Sequence, residues 1–247
     1  MSRKRLSGPV VALIALGVLG IGTAGAARAA KPIYPSYEGF TRTEDGLIAL
    51  IFGYYSANTV PVTLEVGAAN GFSPPGHDRG QPTTFLPGHQ RTVCIMLIPG
   101  DYEGNVQWTL GSGDSTVTTT ELGGPNPIYM IEEVGSAYRA FQTIDTAAAE
   151  LGVCINRPPM VRAGSAATTA VGESLLLEGL VRDEGLPRGG RITSSWTQVS
   201  GPGEARFADS SASKTTVSFD TPGEYVLSLS AGDTELEAES EVTITVE

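Results

Sequence analysis

The chain has 247 residues, of which 16 are Lys or Arg, 27 are Asp or Glu and two are His, and its formal net charge is −11 at pH 7. An acidic surface repels phosphate backbones, which excludes nucleic acid as an expected partner. Acidic side chains also serve solubility alone, so the charge by itself points to no ligand.

The first 29 residues differ from the rest of the chain. A basic start over residues 1–5 precedes an apolar stretch over residues 10–21, and small residues then lead to the A-x-A cleavage pattern Ala27-Arg28-Ala29. This order predicts a secretory signal peptide over residues 1–29 and an exported protein that is periplasmic, displayed on the cell surface or secreted. Cleavage would remove four basic residues and no acidic one, which leaves a net charge of −15 and no expected membrane span. The alternative is an uncleaved anchor, although the apolar stretch is shorter than the roughly 20 residues of a span.

Residues 33–132 are rich in Gly, Pro and Thr and hold short runs of alternating apolar residues, which is typical of a β-sandwich. Within them, Val106, Trp108 and Leu110 alternate with polar residues, so this strand has one buried face and Trp108 is a predicted core residue. We therefore predict a first β-sandwich over residues 33–132.

Two strands of this region, over residues 47–55 and 92–98, are apolar at both alternating positions, which indicates that both faces are covered. A downstream segment supplies a cover, because apolar residues recur there at helical spacing. These residues are Val134, Tyr138, Phe141, Ile144, Ala148 and Leu151. We predict an amphipathic helix over residues 133–152 that docks on the first sandwich.

The two cysteines, Cys94 and Cys154, are expected to pair in an oxidising compartment. Cys94 shares a strand face with Met96 and Ile98, so a helix over that face would bring Cys154 within reach. We predict a Cys94–Cys154 disulfide that pins the helix to the sandwich. Two buried free thiols are the alternative.

The second region begins after a short linker over residues 153–159, which ends in a pair of prolines. We predict a second β-sandwich over residues 160–247 with Trp196 as its large central core residue. The turn at residues 220–224 precedes Tyr225, whose ring we expect to be buried with its hydroxyl bonded back to the backbone.

Several of these motifs carry a resemblance. Gly164, a strand ending in Asp183-Glu184-Gly185, the Trp196 strand with its Ser-Gly-Pro-Gly turn and the corner at residues 221–225 occur in the order found in polycystic kidney disease (PKD) domains. The second region resembles this immunoglobulin-like family, which implies a binding or spacing module. The first region, with "YEGFTRTEDGLIALIFGYYSANT", is similar to an uncharacterised β-sandwich module of exported bacterial proteins. The predicted fold class is therefore mainly β, with two immunoglobulin-like sandwiches joined by one amphipathic helix and a short proline linker.

Acidic residues at predicted strand ends are candidates for calcium, because carboxylate oxygens are the ligands that calcium prefers. The candidates are Asp183, Glu184, Asp209 and Asp233. Turn preference and solubility explain acids at such corners as well. The two histidines, His77 and His89, lie in Gly/Pro-rich sequence without paired ligand spacing, which argues against a transition-metal site. No other cofactor is expected.

Two sets of side chains are candidates for contact surfaces. Leu176 and Leu180 lie on the predicted outward face of their strand and mark a contact with the first region or with a partner. Aromatic residues cluster in the first region, where they either stack on sugars or fill the core. They are Tyr34, Tyr37, Phe40, Tyr54, Tyr55 and Phe72.

The sequence holds no recognisable pairing of a nucleophile with a base, such as G-x-S-x-G or H-E-x-x-H, so we expect no catalytic residue. We therefore expect an exported, non-enzymatic cell-envelope protein that acts as a protein-interaction or structural module, with an envelope protein or a glycan as its partner. The alternative is a carbohydrate-binding accessory protein that uses the aromatic residues of the first region.

Overall fold

The computed structural model describes residues 30–74, 78–112, 115–119 and 125–247, so the predicted signal peptide and His77 lie outside the described residues. In these ranges the protein is mainly β, with 17 strands, one α-helix and one 3-10 helix (η1, Pro127–Tyr129). None of the described helices is long and apolar enough to cross a membrane. We refer to residues 30–155 as the N-terminal half and to residues 160–247 as the C-terminal half.

The N-terminal half consists mainly of antiparallel strands. They are β1 (Ile33–Arg42), β2 (Ile48–Ser56), β3 (Val62–Thr63), β4 (Asn70–Ser73), β5 (Thr84–Phe85), β6 (Gly88–Ile98), β7 (Gln107–Ser112) and β8 (Ser115–Thr118). One sheet has the order β1-β2-β6, a second has the order β4-β7-β8, and β3 pairs with β5.

Aromatic rings fill the space between the two larger sheets. Phe52 on β2 meets Phe72 on β4 edge to face at 5.2 Å between ring centroids, and Phe72 stacks on Trp108 at 5.2 Å. Trp108 is fully buried, and its indole N–H donates to Asn70 Oδ1 at 3.1 Å, so the polar edge of the ring is also satisfied.

We call residues 131–155 the covering segment, because side chains from it pack over one of the two apolar faces of β2 and β6. Ala49, Ile51, Ile95 and Leu97 are buried beneath it. The residues that cover them are Ile131, Ala137, Ala140, Phe141, Ile144, Ala149 and Ile155. Burial on both faces therefore explains the uninterrupted apolar runs of these two strands.

The helix within this segment is much shorter than residues 133–152. It is α1 (Ser136–Phe141), and turns follow it. The Asp145 carboxylate accepts hydrogen bonds from the backbone N–H groups of Ala147 and Ala148, at 3.0 and 3.2 Å, which favours a turn over a continuing helix. Of the six residues at helical spacing, only Phe141 and Ile144 pack against this sheet face, and Val134, Ala148 and Leu151 are exposed.

The predicted disulfide is present, but the route that we predicted for it is wrong. Cys94 points into the core between the sheets, whereas the covering segment lies on the opposite face of β6, against Ile95 and Leu97. The Cα atoms of Cys94 and Cys154 are 4.9 Å apart and their sulfur atoms are bonded. The helix therefore does not cover the Cys94 face.

Cys154 reaches Cys94 because residues 152–155 run beside β6 like a further strand. The N–H of Gly152 donates to Leu97 O at 2.7 Å, and the N–H of Ile155 donates to Ile95 O at 2.9 Å. An antiparallel bridge pairs Met96 with Cys154. The disulfide is thus a link between neighbouring strands at the edge of the β1-β2-β6 sheet.

The C-terminal half contains nine strands. They are β9 (Met160–Arg162), β10 (Ala167–Thr169), β11 (Leu175–Glu178), β12 (Leu180–Arg182), β13 (Thr193–Ser200), β14 (Ala205–Phe207), β15 (Lys214–Phe219), β16 (Gly223–Gly232) and β17 (Glu237–Val246). One sheet has the order β10-β17-β16-β13, another has the order β11-β15-β14, and β9 pairs with β12. Side chains from these sheets share one core.

Two aromatic residues anchor this core. Trp196 on β13 and Tyr225 on β16 are both buried. The hydroxyl of Tyr225 donates to Thr221 O at 2.8 Å across the corner between β15 and β16. The acidic corner at residues 220–224 therefore has a structural role in turning the chain and tying it to the core.

Candidate functional site at the junction of the two halves

The loop between β12 and β13 inserts a side chain of the C-terminal half into the N-terminal half. Leu186 is buried within the aromatic core of the N-terminal half. Gly185 precedes it with φ 90°, a conformation that favours glycine, and it lies against Pro82. The two halves are therefore joined by core packing as well as by the chain segment between them.

Arg157, in the chain segment between the two halves, lies across this junction. Its backbone N–H donates to Glu184 Oε1 at 2.7 Å, and its Nη2 donates to Glu184 Oε2 at 3.3 Å and to Thr92 O at 2.6 Å. Thr92 has a φ of 53° in the irregular part of β6, and its N–H donates to Glu38 Oε2 at 2.9 Å. A hydrogen-bonded chain thus runs from β1 through β6 to the C-terminal half.

The carboxyl groups of this chain are shielded from water. Burial raises the pKa of Glu184 to about 7, against the lowering effect of the Arg157 charge. Burial also raises the pKa of Glu38, while its hydrogen bond from Thr92 and the charge of Arg91 act in the opposite direction. The side chains of Arg157 and Glu184 are only 11% and 3% exposed, so this ion pair is largely buried.

A second ion pair at the junction is open to solvent. Arg188 Nη2 donates to both carboxylate oxygens of Asp78, at 2.9 and 3.1 Å. The backbone N–H of Gly80 and, to a smaller extent, Arg188 lower the pKa of Asp78. Because both side chains are more than one-third exposed, this pair contributes little to stability and serves as a natural comparison for the buried one.

Three oxygen-bearing side chains belong to segments that meet beside the buried ion pair, and we call Asn156, Asp183 and Asp233 the junction oxygen cluster. In each of them one side-chain oxygen is buried and has no hydrogen-bond partner among the described residues: Asn156 Oδ1, Asp183 Oδ2 and Asp233 Oδ2. Burial raises the pKa of Asp183, and the negative charge of Asp233 adds to that effect. The cluster therefore holds uncompensated oxygen atoms away from water.

The four calcium candidates from the sequence do not all meet at this place. The negative charge of Asp233 acts to raise the pKa of Asp183, so these two carboxylates lie near one another. Glu184 instead forms an ion pair with Arg157. Asp209 lies on the loop between β14 and β15, where its carboxylate accepts hydrogen bonds from the N–H and hydroxyl of Ser211. Asn156 and Arg157 carry no predicted role in the sequence, and the signal that could have pointed to them is a polar Asn-Arg pair directly before two prolines.

The two leucines of the predicted contact surface lie in different surroundings. Leu176 on β11 is exposed and pairs with Thr216, whereas Leu180 on β12 is half-buried and pairs with Arg162. Between them, Gly179 approaches the core so closely that an added Cβ would lie 2.4 Å from Ser213 O. β11 ends directly before this glycine and β12 begins directly after it.

The aromatic residues of the first region divide into two groups. Tyr37, Phe40, Tyr54 and Phe72 are buried. Tyr34 and Tyr55 are 45% and 47% exposed, stack with ring centroids 6.4 Å apart, and continue to His89, whose ring meets Tyr55 at 5.9 Å. We call Tyr34, Tyr55 and His89 the tyrosine row, which crosses β1, β2 and β6 in register.

Comparison with known proteins identifies the C-terminal half. The family model described as "K319L-like, PKD domain" matches residues 163–246, and it confirms the predicted PKD resemblance of this half. The N-terminal resemblance remains a prediction.

Solved structures that are similar to this chain include isolated PKD domains. The PKD domain from the KIAA 1837 protein is 22% identical and covers 35% of this chain and 84% of its own, with a TM-score of 0.28. The PKD domain from human KIAA0319 is 18% identical and covers 35% and 79%, with a TM-score of 0.29. The D00-D0 domain of intimin is 13% identical and covers 87% and 100%, with a TM-score of 0.30.

Proposed function

We propose that this protein is exported and acts in the cell envelope as a non-enzymatic module that holds or presents binding surfaces. The two halves are proposed to be separate immunoglobulin-like sandwiches in a fixed relative orientation. The support comes from the disulfide, which fits an oxidising compartment, and from the PKD-like C-terminal half, a type of module that commonly serves in binding or spacing.

The observation that carries this proposal is the buried junction. Domains that are joined by a linker usually move relative to one another unless their interface is large and apolar. Here the linker residue Arg157 is hydrogen-bonded to both sides, and Leu186 is buried in the opposite core. Such a connection suits a protein that must keep two surfaces at a fixed distance.

The chemistry of the reactive side chains also supports a role without catalysis. Both cysteines are bonded to each other, so neither is available as a nucleophile. His89 is exposed and contacts the ring of Tyr55. The proposed binding surface of the C-terminal half includes its exposed apolar side chains, of which Leu176 and Val199 are 58% and 55% exposed.

The test is site-specific photocrosslinking of the full chain in its native envelope. A photoreactive amino acid replaces Leu176 or Val199 in separate variants, and exposed Glu224 serves as the matched control position. We expect one protein to crosslink in a stoichiometric amount through the apolar positions and not through position 224. Equal crosslinking at all three positions, or none, would count against a protein-interaction role.

A second candidate function is supported by the tyrosine row. Exposed aromatic rings on one face of a sheet can stack on sugar rings through their apolar faces. The test is co-sedimentation with insoluble peptidoglycan and with cellulose, comparing the unaltered chain with Tyr34→Ala/Tyr55→Ala and with a control Tyr138→Ala. Retention that the double variant loses and the control keeps would establish glycan binding; retention by all three would reject the row as its site.

A further inference from the structure

The junction oxygen cluster is assembled from three segments that are distant in sequence. Asn156 comes from the linker, Asp183 from the end of β12 and Asp233 from the turn between β16 and β17. The amide of Asn156 donates to Glu235 Oε2 at 3.2 Å, and the neighbouring Arg157 is bound to Glu184. These two contacts place the linker between the other two segments.

Backbone groups fix one oxygen of each carboxylate. Asp183 Oδ1 accepts from the N–H of Gly185 at 2.7 Å, and Asp233 Oδ1 accepts from the N–H groups of Glu235 and Leu236, both at 2.8 Å. Asp233 is fully buried, yet its Oδ2 has no hydrogen-bond donor within the described residues. The carboxylates are therefore held in place while one oxygen of each remains free to bind something else.

The segments that form the junction oxygen cluster carry several acidic residues. Asp183 and Asp233 repel one another, and Glu184 and Glu235 belong to the same segments. The positive charge of Arg157 acts on Asp183, but its side chain donates to Glu184 and Thr92. Buried carboxylates without a paired charge are costly, and a bound cation would remove that cost.

We propose that the junction oxygen cluster binds a calcium ion through Asn156 Oδ1, Asp183 Oδ2 and Asp233 Oδ2. All three donors are oxygen atoms, and a mixture of carboxylates, amide and carbonyl oxygens is what calcium takes as ligands, whereas magnesium demands a stricter octahedron and keeps several waters. Structural zinc sites are built mainly from Cys and His, and the cluster has neither. Within the described ranges no three His, Cys, Asp or Glu side chains form a metal-binding group, so the proposed site has only two carboxylates and depends on the Asn156 amide oxygen as its third ligand. Backbone carbonyls and water would complete the coordination.

A calcium ion here would bind both places at which the two halves are connected, the segment that holds Asn156 and the loop that carries Leu186. It would bind the linker, the loop that carries Leu186 into the opposite core, and the last hairpin of the C-terminal half. Ligand binding to the folded state alone raises its stability, so calcium would stabilise the junction together with the fold. The competing arrangement is a junction that holds no metal ion.

The test measures calcium binding by the full chain at pH 7.5 in two ways. Equilibrium dialysis gives the dissociation constant, and the melting temperature is compared in CaCl₂, MgCl₂ and EDTA. We expect a higher melting temperature in calcium and a dissociation constant on the order of 10⁻⁴ to 10⁻³ M, as in other extracellular modules. Asp183→Asn and Asn156→Ala are each expected to weaken binding by about tenfold or more, because each removes a ligand or its charge.

Asp209→Asn is the matched control, because Asp209 is an acid at an exposed turn of the same half. It should bind calcium like the unaltered chain. A melting temperature and dialysis that do not respond to millimolar calcium would overturn the proposal in favour of a junction without a metal ion. Calcium binding that persists unchanged in both Asp183→Asn and Asn156→Ala would also overturn it, because the ion would then lie elsewhere.

Discussion

Arg157 and Glu184 are bonded twice, through the backbone N–H of Arg157 at 2.7 Å and through its Nη2 at 3.3 Å, although they are 27 residues apart in the chain. Both side chains are largely buried. The removal of one partner of a buried pair leaves an uncompensated charge, which costs more than the replacement of both by apolar residues.

We therefore expect Arg157→Met to lower the free energy of unfolding by about 3 kcal/mol or more. The double variant Arg157→Met/Glu184→Leu should be more stable than this single variant. Urea denaturation of the unaltered chain, the single variant and the double variant measures the free energy of unfolding of each. Arg188→Met, which breaks the exposed pair with Asp78, should cost less than about 1 kcal/mol. Equal losses in Arg157→Met and Arg188→Met would show that burial of the first pair has no energetic consequence.

The stability of the protein should depend on pH through Glu184. Its pKa in the folded state is about 7, above the ordinary value of 4.5, so the folded state holds the proton more tightly than the unfolded state. The resulting stabilisation is complete below about pH 4.5 and is lost as the pH rises through 7. One proton contributes at most about 1.4 kcal/mol per pH unit.

The measurement is the free energy of unfolding from pH 4.5 to 8 for the unaltered chain and for Glu184→Gln. We expect the decrease between pH 5 and 7 to be smaller in Glu184→Gln, which has no carboxyl group to titrate. Glu224→Gln, at an exposed position, should keep the original slope. An unchanged slope in Glu184→Gln would assign the dependence to other groups, such as Glu38 and Asp183.

The disulfide should make a large contribution to stability. Cys94 and Cys154 are separated by 60 positions, and closing a loop of that length in the unfolded chain is worth about 4 kcal/mol in the chain-entropy model. We expect Cys94→Ala/Cys154→Ala to unfold at correspondingly lower urea concentration. The unaltered protein in reducing agent should follow the variant once the bond has opened, and a variant as stable as the oxidised protein would contradict this estimate.

Leu186 should couple the unfolding of the two halves. It belongs to the C-terminal half but is buried in the core of the N-terminal half. Leu186→Ala is expected to cost about 2–4 kcal/mol and to separate the melting transitions of the halves in calorimetry. Leu176→Ala, at an exposed position, should change stability by less than about 0.5 kcal/mol. A single unchanged transition in Leu186→Ala would mean that the junction does not depend on this side chain.

The strands of the C-terminal half could be predicted because the residues that specify them are close together in the sequence. The alternating residues before and after the turn at 220–224 give the strands, and Tyr225 directly follows the turn to which it bonds. The predicted helix is too long because apolar residues at helical spacing need not lie on one helix: Phe141 and Ile144 contact the β2 and β6 face, whereas Val134 and Leu151 are exposed.

The junction could be predicted only in part. Asp183 and Asp233 were recognisable as acids at strand ends, but their meeting depends on how separate strands pack. Asn156 and Arg157 gave no periodic signal, because their partners are Glu235 and Glu184, 79 and 27 positions away. Which face of β6 carries the cover was likewise undecided by alternation, since both faces of that strand are apolar.

The covalent link between β6 and the segment beside it also determines how the protein would carry a mechanical load. A pulling force applied at the two ends would pass from Cys94 directly to Cys154, so the 60-position stretch between them would bear no tension. That bypass shortens the fully extended chain by roughly 200 Å, at about 3.5 Å per residue. The greatest length to which the chain can be pulled would therefore depend on whether this one bond is intact.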